Sequence, residues 1–237
     1  MMCLEVDGVR SGYGRREVLF DIDIEVPEGA VVGIVGPNGH GKSTLLRTIS
    51  GLLTATAGDI RFKGGSIRGL PPEEIARRGV SHVPQGDLLF PQMTVWENLL
   101  LGAYRERDAA ATRGRLDTVV ALFPKLTQLR DKVVRSLSGG ERRMVGIGRG
   151  LMAPSDLIMI DEPSLGLAPL VIDQVYDAIR EIRASRTSVL LVEENPERAA
   201  GMADYLYLVD NGGVKWRGDQ EAFKSAGREL IQTYLGT

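Results

Sequence analysis

Gly36-Pro37-Asn38-Gly39-His40-Gly41-Lys42-Ser43-Thr44 decides the reading of this chain. The stretch fits G-x-x-x-x-G-K-[ST], with Gly36 and Gly41 as the outer glycines. Just before it, Val31-Val32-Gly33-Ile34-Val35 is a short apolar run rich in β-branched residues, the pattern of a buried parallel strand. Just after it, Leu45, Leu46 and Ile49 share one face of a helix predicted over Ser43 to Ile49. Strand, glycine loop and helix are the setting in which this pattern binds phosphate. The glycines let successive N–H groups point inward, and the helix N-terminus adds partial positive charge. Lys42 is then placed to reach the β- and γ-phosphates, and the Ser43 hydroxyl to sit on Mg²⁺. The competing reading, a glycine-rich turn with a chance lysine, does not account for both flanks.

Composition narrows the options. The chain has 237 residues, enough for one large domain or two small ones. Lys and Arg number 29 against 31 Asp and Glu, so no basic field points to nucleic acid. The single Cys3 rules out an internal disulfide and a cysteine-rich zinc site. Met1 to Asp7 lack a basic segment followed by an apolar one, so no signal peptide is expected. No apolar run approaches the roughly 18 residues of a transmembrane helix. A membrane role must come through a partner.

Residues 4–26 read as antiparallel β structure, because Asp21 to Val26 alternate polar and apolar. Tyr13 lies in the turn Gly12-Tyr13-Gly14, either as a surface aromatic or as a ring that stacks on adenine. A hairpin is predicted near Asp59 to Lys63. Pro71-Pro72-Glu73-Glu74 has the start signals of a short helix. Val80 to Pro84 reads as a core strand ending at Gln85. His82 reads as a packed strand residue, since His40 is the only other histidine. Residues 94–135 read as helical, with Thr94 as a cap, a second helix over Leu116 to Phe123 and a break at Pro124. This predicts an inserted helical subdomain over about 86–152, within an α/β core of about 1–85 and 153–237.

Ser138-Gly139-Gly140 breaks the chain again, and Glu141 to Met152 reads as a helix carrying Arg142, Arg143 and Arg149. Its start is either a second anion site or a simple serine cap. Leu157 to Ile160 is a continuous apolar strand followed by Asp161 and Glu162. Ligands of open parallel sheets bind at strand C-termini. Adjacent acids there suit two roles: one holds Mg²⁺, and the other orients an attacking water. Ser188 to Val192 is a further strand of this type, followed by Glu193, Glu194 and Asn195. A hairpin over Tyr205 to Val209 and Val214 to Trp216, then a helix over Gln220 to Tyr234, complete the prediction.

These motifs together resemble the ATP-binding subunits of ABC transporters. The resemblance covers nearly the whole chain. It implies a RecA-like α/β phosphate-loop core with a mostly parallel sheet, an N-terminal antiparallel β subdomain and an inserted helical subdomain. Gly36 to Thr44 resembles the family's phosphate loop and Gln85 its metal-sensing glutamine. Leu137-Ser138-Gly139-Gly140-Glu141 is similar to its signature, which binds ATP held by a second subunit. Leu157 to Glu162 resembles the metal strand and catalytic glutamate, and Ser164-Leu165-Gly166-Leu167 the loop that crosses the dimer interface. The resemblance implies ATP and Mg²⁺ as ligands. Lys42, Glu162 and Glu194 are the implied catalytic residues; Ser43, Gln85 and Asp161 would serve the metal; and Tyr13, Gly36 to Thr44, Ser138, Gly139 and Gly140 would serve ATP. It also implies a second ATPase subunit (the same or different), integral permease subunits, indirectly a substrate-binding protein, and a place on the cytoplasmic face of the membrane. Val83-Pro84-Gln85-Gly86, Met93-Thr94-Val95, Leu122-Phe123-Pro124 and Asp161 to Pro169 resemble the branched-chain amino acid importers in particular. The ATPases of urea and short-chain amide importers are similar. A soluble ABC ATPase of DNA repair or translation would bring coiled-coil arms, zinc modules or a second phosphate loop, which this sequence lacks.

One position departs from the family pattern. Where most of the superfamily has a histidine facing the γ-phosphate, and branched-chain-type members often have glutamine, this sequence has Glu194. A second carboxylate near Glu162 would be repelled. Glu194 could turn away, pair with a cation or carry a proton, and the reading favours its turning away.

Overall fold

The computed structural model describes residues 1–86, 88–184, 186–230 and 233. The chain opens with an antiparallel pair, β1 (Met2–Tyr13) and β2 (Arg16–Pro27). It then enters a second sheet with β3 (Val31–Val35) and passes through the phosphate loop into α1 (Lys42–Ile49). It returns to the first sheet with β4 (Ala55–Phe62) and β5 (Gly65–Ser66), giving the order β2-β1-β4-β5. The turn between these two strands is Lys63-Gly64. Both residues have positive φ, as the tight hairpin turns that suit strand twist require.

α2 (Pro72–Arg77) leads into β6 (Val80–Val83). Four helices follow: α3 (Val95–Gly102), α4 (Ala109–Leu122), α5 (Lys125–Gln128) and α6 (Gly139–Met152). β7 (Leu157–Asp161), α7 (Pro169–Ala184), β8 (Ser188–Glu193) and α8 (Pro196–Ala200) come next. The described chain closes with β9 (Tyr205–Asp210), β10 (Gly213–Asp219) and α9 (Gln220–Leu230). The end of the predicted tail helix, towards Tyr234, lies outside the described residues.

The second sheet has the order β10-β9-β3-β8-β7-β6, parallel throughout except for β10. Its central strands are apolar on both faces because both are covered. Val31, Val35, Ile158, Ile160, Val189 and Leu191 point into the cluster shared with α3, α4, α6 and α7. Their neighbours Val32, Ile34, Leu157, Met159, Leu190 and Val192 point into the cluster shared with α1 and the antiparallel sheet. The period of two along each strand thus splits one sheet between two cores.

One expectation changes. The helix predicted from Leu116 begins at Ala109, where the Asp108 side chain accepts from the Ala110 N–H and caps it. The strand read from Val80 is β6, at the edge of the second sheet, with Val80 and Val83 buried.

Candidate active site

Three neighbouring parallel strands end together. β8 lies between β3 and β7, with Val35 paired to Glu193 and Val192 paired to Asp161. The phosphate loop therefore leaves β3 beside the loop that carries Glu194. Asp161 and Glu162 emerge on the other side of β8.

The phosphate loop is shaped by its outer glycines. Gly36 has a φ of 152°, and a Cβ there would lie 1.9 Å from the Val209 carbonyl oxygen. Gly41 has a φ of 106°, and its Cβ would lie 2.9 Å from Leu19 Cδ2. Any other residue would have to move backbone or core at these points. Lys42 is buried, and its Nζ donates to the carbonyls of Gly36 at 2.7 Å and Pro37 at 3.0 Å. The same nitrogen lies 3.8 Å from Glu162 Oε1. Burial pushes the Lys42 ammonium down, while Glu162, Glu194 and Asp161 pull it back up. His40 Nδ1, 2.6 Å from Asp210 Oδ1, ties the loop to the β9–β10 hairpin. Tyr13 presents a half-exposed ring beside the first turn of α1. Its hydroxyl accepts from Arg47 at 2.9 Å and lies 3.5 Å from Thr44 Oγ1.

Asp161 is buried, and among the described residues its Oδ1 has no hydrogen-bond partner. Burial pushes its carboxyl up; the Ser43 hydroxyl, Arg143 and Lys42 oppose that. An orphaned carboxylate oxygen beside a serine hydroxyl is a hard oxygen pair, and it fits Mg²⁺. Glu162 follows with a φ of 46°, a left-handed bend in a non-glycine residue. Such a bend costs on the order of 1–3 kcal/mol and persists only where its surroundings hold it. Here the Glu162 N–H donates to Val192 O at 2.9 Å, and Gln85 Nε2 donates to Glu162 Oε2 at 2.8 Å. Burial pushes the Glu162 carboxyl up, with Lys42 opposing and Asp161, Glu194 and Glu193 adding to the rise. Gln85 thus meets Glu162 directly.

Glu194 does not turn away, which corrects the expectation. Its Oε1 accepts from Asn38 Nδ2 at 2.9 Å, so the side chain lies against the phosphate loop. Relief comes from a neutral amide donor and from exposure to solvent, where charge repulsion is screened.

The signature stretch is built differently. Ser138 caps α6: the Glu141 N–H donates to Ser138 Oγ at 3.3 Å, and the Ser138 N–H donates to Glu141 Oε2 at 2.8 Å. With Lys125 also 3.0 Å away, these donors hold the Glu141 carboxyl at about 2. Ser138 and Gly139 are exposed. Gly139 borders a cavity of about 410 Å³ with Gln85, Arg143 and Glu162. Gly36 and Pro37 border another, of about 510 Å³, with Glu162, Glu193 and Glu194. Glu162 is common to both walls.

His82 is a packed residue, its Nδ1 3.2 Å from Ser50 Oγ and its imidazole pushed down to about 4 by burial. Sequence reading passed over two buried charged side chains. Arg143 donates to Asp161 O at 2.7 Å and to Pro84 O at 3.1 Å, fastening α6 to β7 and to the segment before Gln85. Its four-residue spacing from Ile147, a buried residue, was the available signal. Glu193 is the other, described below.

A model of the family described as "ABC transporter" matches residues 19–165. The high-affinity branched-chain amino acid transport ATP-binding protein BraG of Pseudomonas aeruginosa is 40% identical over 233 residues, 98% of this chain and 99% of that protein. The probable branched-chain amino acid transport ATP-binding protein LivF of Archaeoglobus fulgidus is 36% identical over 225 residues, covering 94% and 92%. Among solved structures, the ADP conformation of MJ1267, an ATP-binding cassette of an ABC transporter, superposes with a TM-score of 0.84 at 28% identity over the full length of both chains.

Proposed function

The chain belongs to the ABC transporter family, and on that premise we propose that it is the ATP-hydrolysing subunit of an importer of branched-chain amino acids. The observation that carries the chemistry is the meeting of Lys42, Asp161 and Glu162 beyond the ends of β3 and β7, on either side of β8. The loop N–H groups and Lys42 would hold the phosphates and stabilise charge on the transferred phosphoryl group. Ser43 and Asp161 would hold Mg²⁺, with Gln85 reaching it through Glu162 or by a change of partner. When bound, the metal would neutralise phosphate charge. Glu162, raised by burial, would position the attacking water and take its proton. Tyr13 would carry the adenine. Glu194, seated on Asn38, would border the γ-phosphate.

The outward-facing Ser138-Gly139-Gly140 would close over ATP held by a second ATPase subunit, so that the two subunits enclose two nucleotides. Residues 86–152 would move as the helical subdomain against the core of 1–85 and 153–237. No helix among the described residues is long and apolar enough to cross a membrane. Transport therefore needs membrane permease subunits, and the proposed docking face is apolar. Leu88 and Tyr104 are 70% and 73% exposed and line a cavity of about 590 Å³ with Phe90, a few residues beyond Gln85. A substrate-binding protein would act on the permease from the far side. On this reading the chain would sit at the cytoplasmic face of the membrane.

The test is to co-purify the tagged chain with its membrane partners, reconstitute them in vesicles and follow uptake. ATP-dependent accumulation of labelled leucine, isoleucine or valine is the expected result. Uptake of urea or a short-chain amide instead would overturn the substrate assignment and leave the ATPase reading standing.

A further inference from the structure

Beneath the two loops that wall the cavity of about 510 Å³ lies a buried carboxylate that the chemistry above does not use. Glu193 ends β8 and is 1% exposed. Its Oε1 accepts from the Tyr176 hydroxyl of α7 at 2.6 Å, and its Oε2 accepts from Ser164 Oγ at 3.0 Å. Ser164 Oγ in turn accepts from Arg198 Nη1 of α8 at 3.3 Å. The result is a directed chain in which Arg198 donates to Ser164, and Ser164 and Tyr176 both donate to Glu193. Burial and the adjacent carboxylate push the Tyr176 phenol up, so it remains a donor. Burying a carboxylate without partners is costly, which makes this arrangement a rigid unit.

Its position matters more than its strength. Ser164 is two residues after Glu162, and Glu193 directly precedes Glu194. The Glu162 N–H is bonded to Val192 O, one residue before Glu193. The segment 162–164 is thus fastened to β8 at both ends, by a backbone bond at Glu162 and a side-chain bond at Ser164. Between these points lies the left-handed bend that aims the Glu162 carboxylate at the cavity.

We propose that Glu193 is a positioning residue for ATP hydrolysis: its carboxylate, gripped by Ser164 and Tyr176, holds the 162–164 bend against β8 so that Glu162 keeps its aim. Glu193 touches no reacting atom in this account, which rests on the assignment of Glu162 above. Loosening the clamp displaces Glu162 without altering the phosphate loop. The effect therefore falls on the chemical step and spares binding.

The experiment measures kcat, KM for ATP and thermal midpoint on the purified full chain for Tyr176→Phe, Glu193→Gln and Glu162→Gln. Tyr176→Phe keeps the packed ring, so it serves even where Glu193→Gln fails to fold. Tyr176→Phe is expected to lower kcat about tenfold or more, the scale of a small misplacement of a catalytic group, with KM within about twofold of wild type. A lowered midpoint with kcat unchanged would reduce the cluster to a structural role and overturn the proposal. A raised KM with kcat unchanged would overturn it too. If Glu162→Gln itself turns over normally, the reading of the site fails. If Glu162→Gln is inactive and Tyr176→Phe is as fast as wild type, only the clamp fails.

Discussion

The ends of β3, β7 and β8 and the start of α6 are both suited to anions, yet they are built in opposite ways. At the strand ends Lys42, Asp161 and Glu162 are buried and each is shifted by burial; Lys42 and Glu162 also feel each other and Asp161, and Asp161 feels Lys42. Asp161 Oδ1 has no hydrogen-bond partner among the described residues, and Glu162 is held in a strained bend. At the start of α6 Ser138 and Gly139 are exposed, the capping box satisfies the first turn, and Glu141 is held ionised. One region stores strain and uncompensated charge inside the chain; the other is locally complete and faces outward. A site that does chemistry needs the first construction. A surface that closes on a second molecule can use the second.

Mutations should separate the two regions, starting with the largest effect. Lys42→Ala removes a buried cation whose charge-assisted hydrogen bonds are worth about 1.5–3 kcal/mol. It should lower ATP affinity by about tenfold or more and remove hydrolysis, with the fold intact by circular dichroism. Wild-type hydrolysis in that variant would break the comparison at its inner side.

Ser138→Arg attacks the outer side. Binding of ATP to the monomer, followed by titration calorimetry, should be unchanged, while hydrolysis that depends on dimerisation is lost. Equal damage to monomer binding would show that the signature acts on its own chain's nucleotide.

Glu194→Gln should have a smaller effect. The amide oxygen can still accept from Asn38, but the charge beside Glu162 and Lys42 is gone. Binding of ATP relative to ADP should tighten, with hydrolysis at least as fast as wild type. An unchanged ratio on titration with both nucleotides would mean that Glu194 does not sense the γ-phosphate.

The smallest effect is expected at the cap. Glu141→Ala should lower stability by about 1 kcal/mol, the usual value of such a cap. The folded Glu141 carboxyl lies near 2 against an ordinary 4.5. Its contribution is therefore present above pH 4.5 and lost as pH falls towards 2. Urea melts of both proteins at neutral and acid pH would show the difference shrinking. A constant difference would remove the charge from the explanation.

The two regions also differed in how legible they were in the sequence. Gly36 to Thr44, the apolar strands and the acids after Ile160 could be read because backbone geometry and burial constrain them locally. Glu193 could not, because beside Glu194 it looks like a polar strand end. Its partner Tyr176 is 17 residues away on a helix whose packing the sequence does not state. Arg143 was read as one of several helix arginines, although it faces inward. The start of α4 was missed because the run Ala109-Ala110-Ala111 carries no amphipathic signal before Leu116. Glu194 was read in register, but its orientation depended on Asn38, a contact spanning 156 positions.

The central claim is that Glu162 does the chemistry inside each chain while the signature surface closes over nucleotide from outside. Glu162→Gln tests both halves at once. Incubated with ATP and Mg²⁺, and followed by light scattering together with phosphate release, it should hydrolyse at least ~10²-fold more slowly than wild type, the scale of one acid–base group. It should also accumulate as a long-lived dimer with ATP bound. Normal phosphate release from a protein that stays monomeric in ATP would contradict the account.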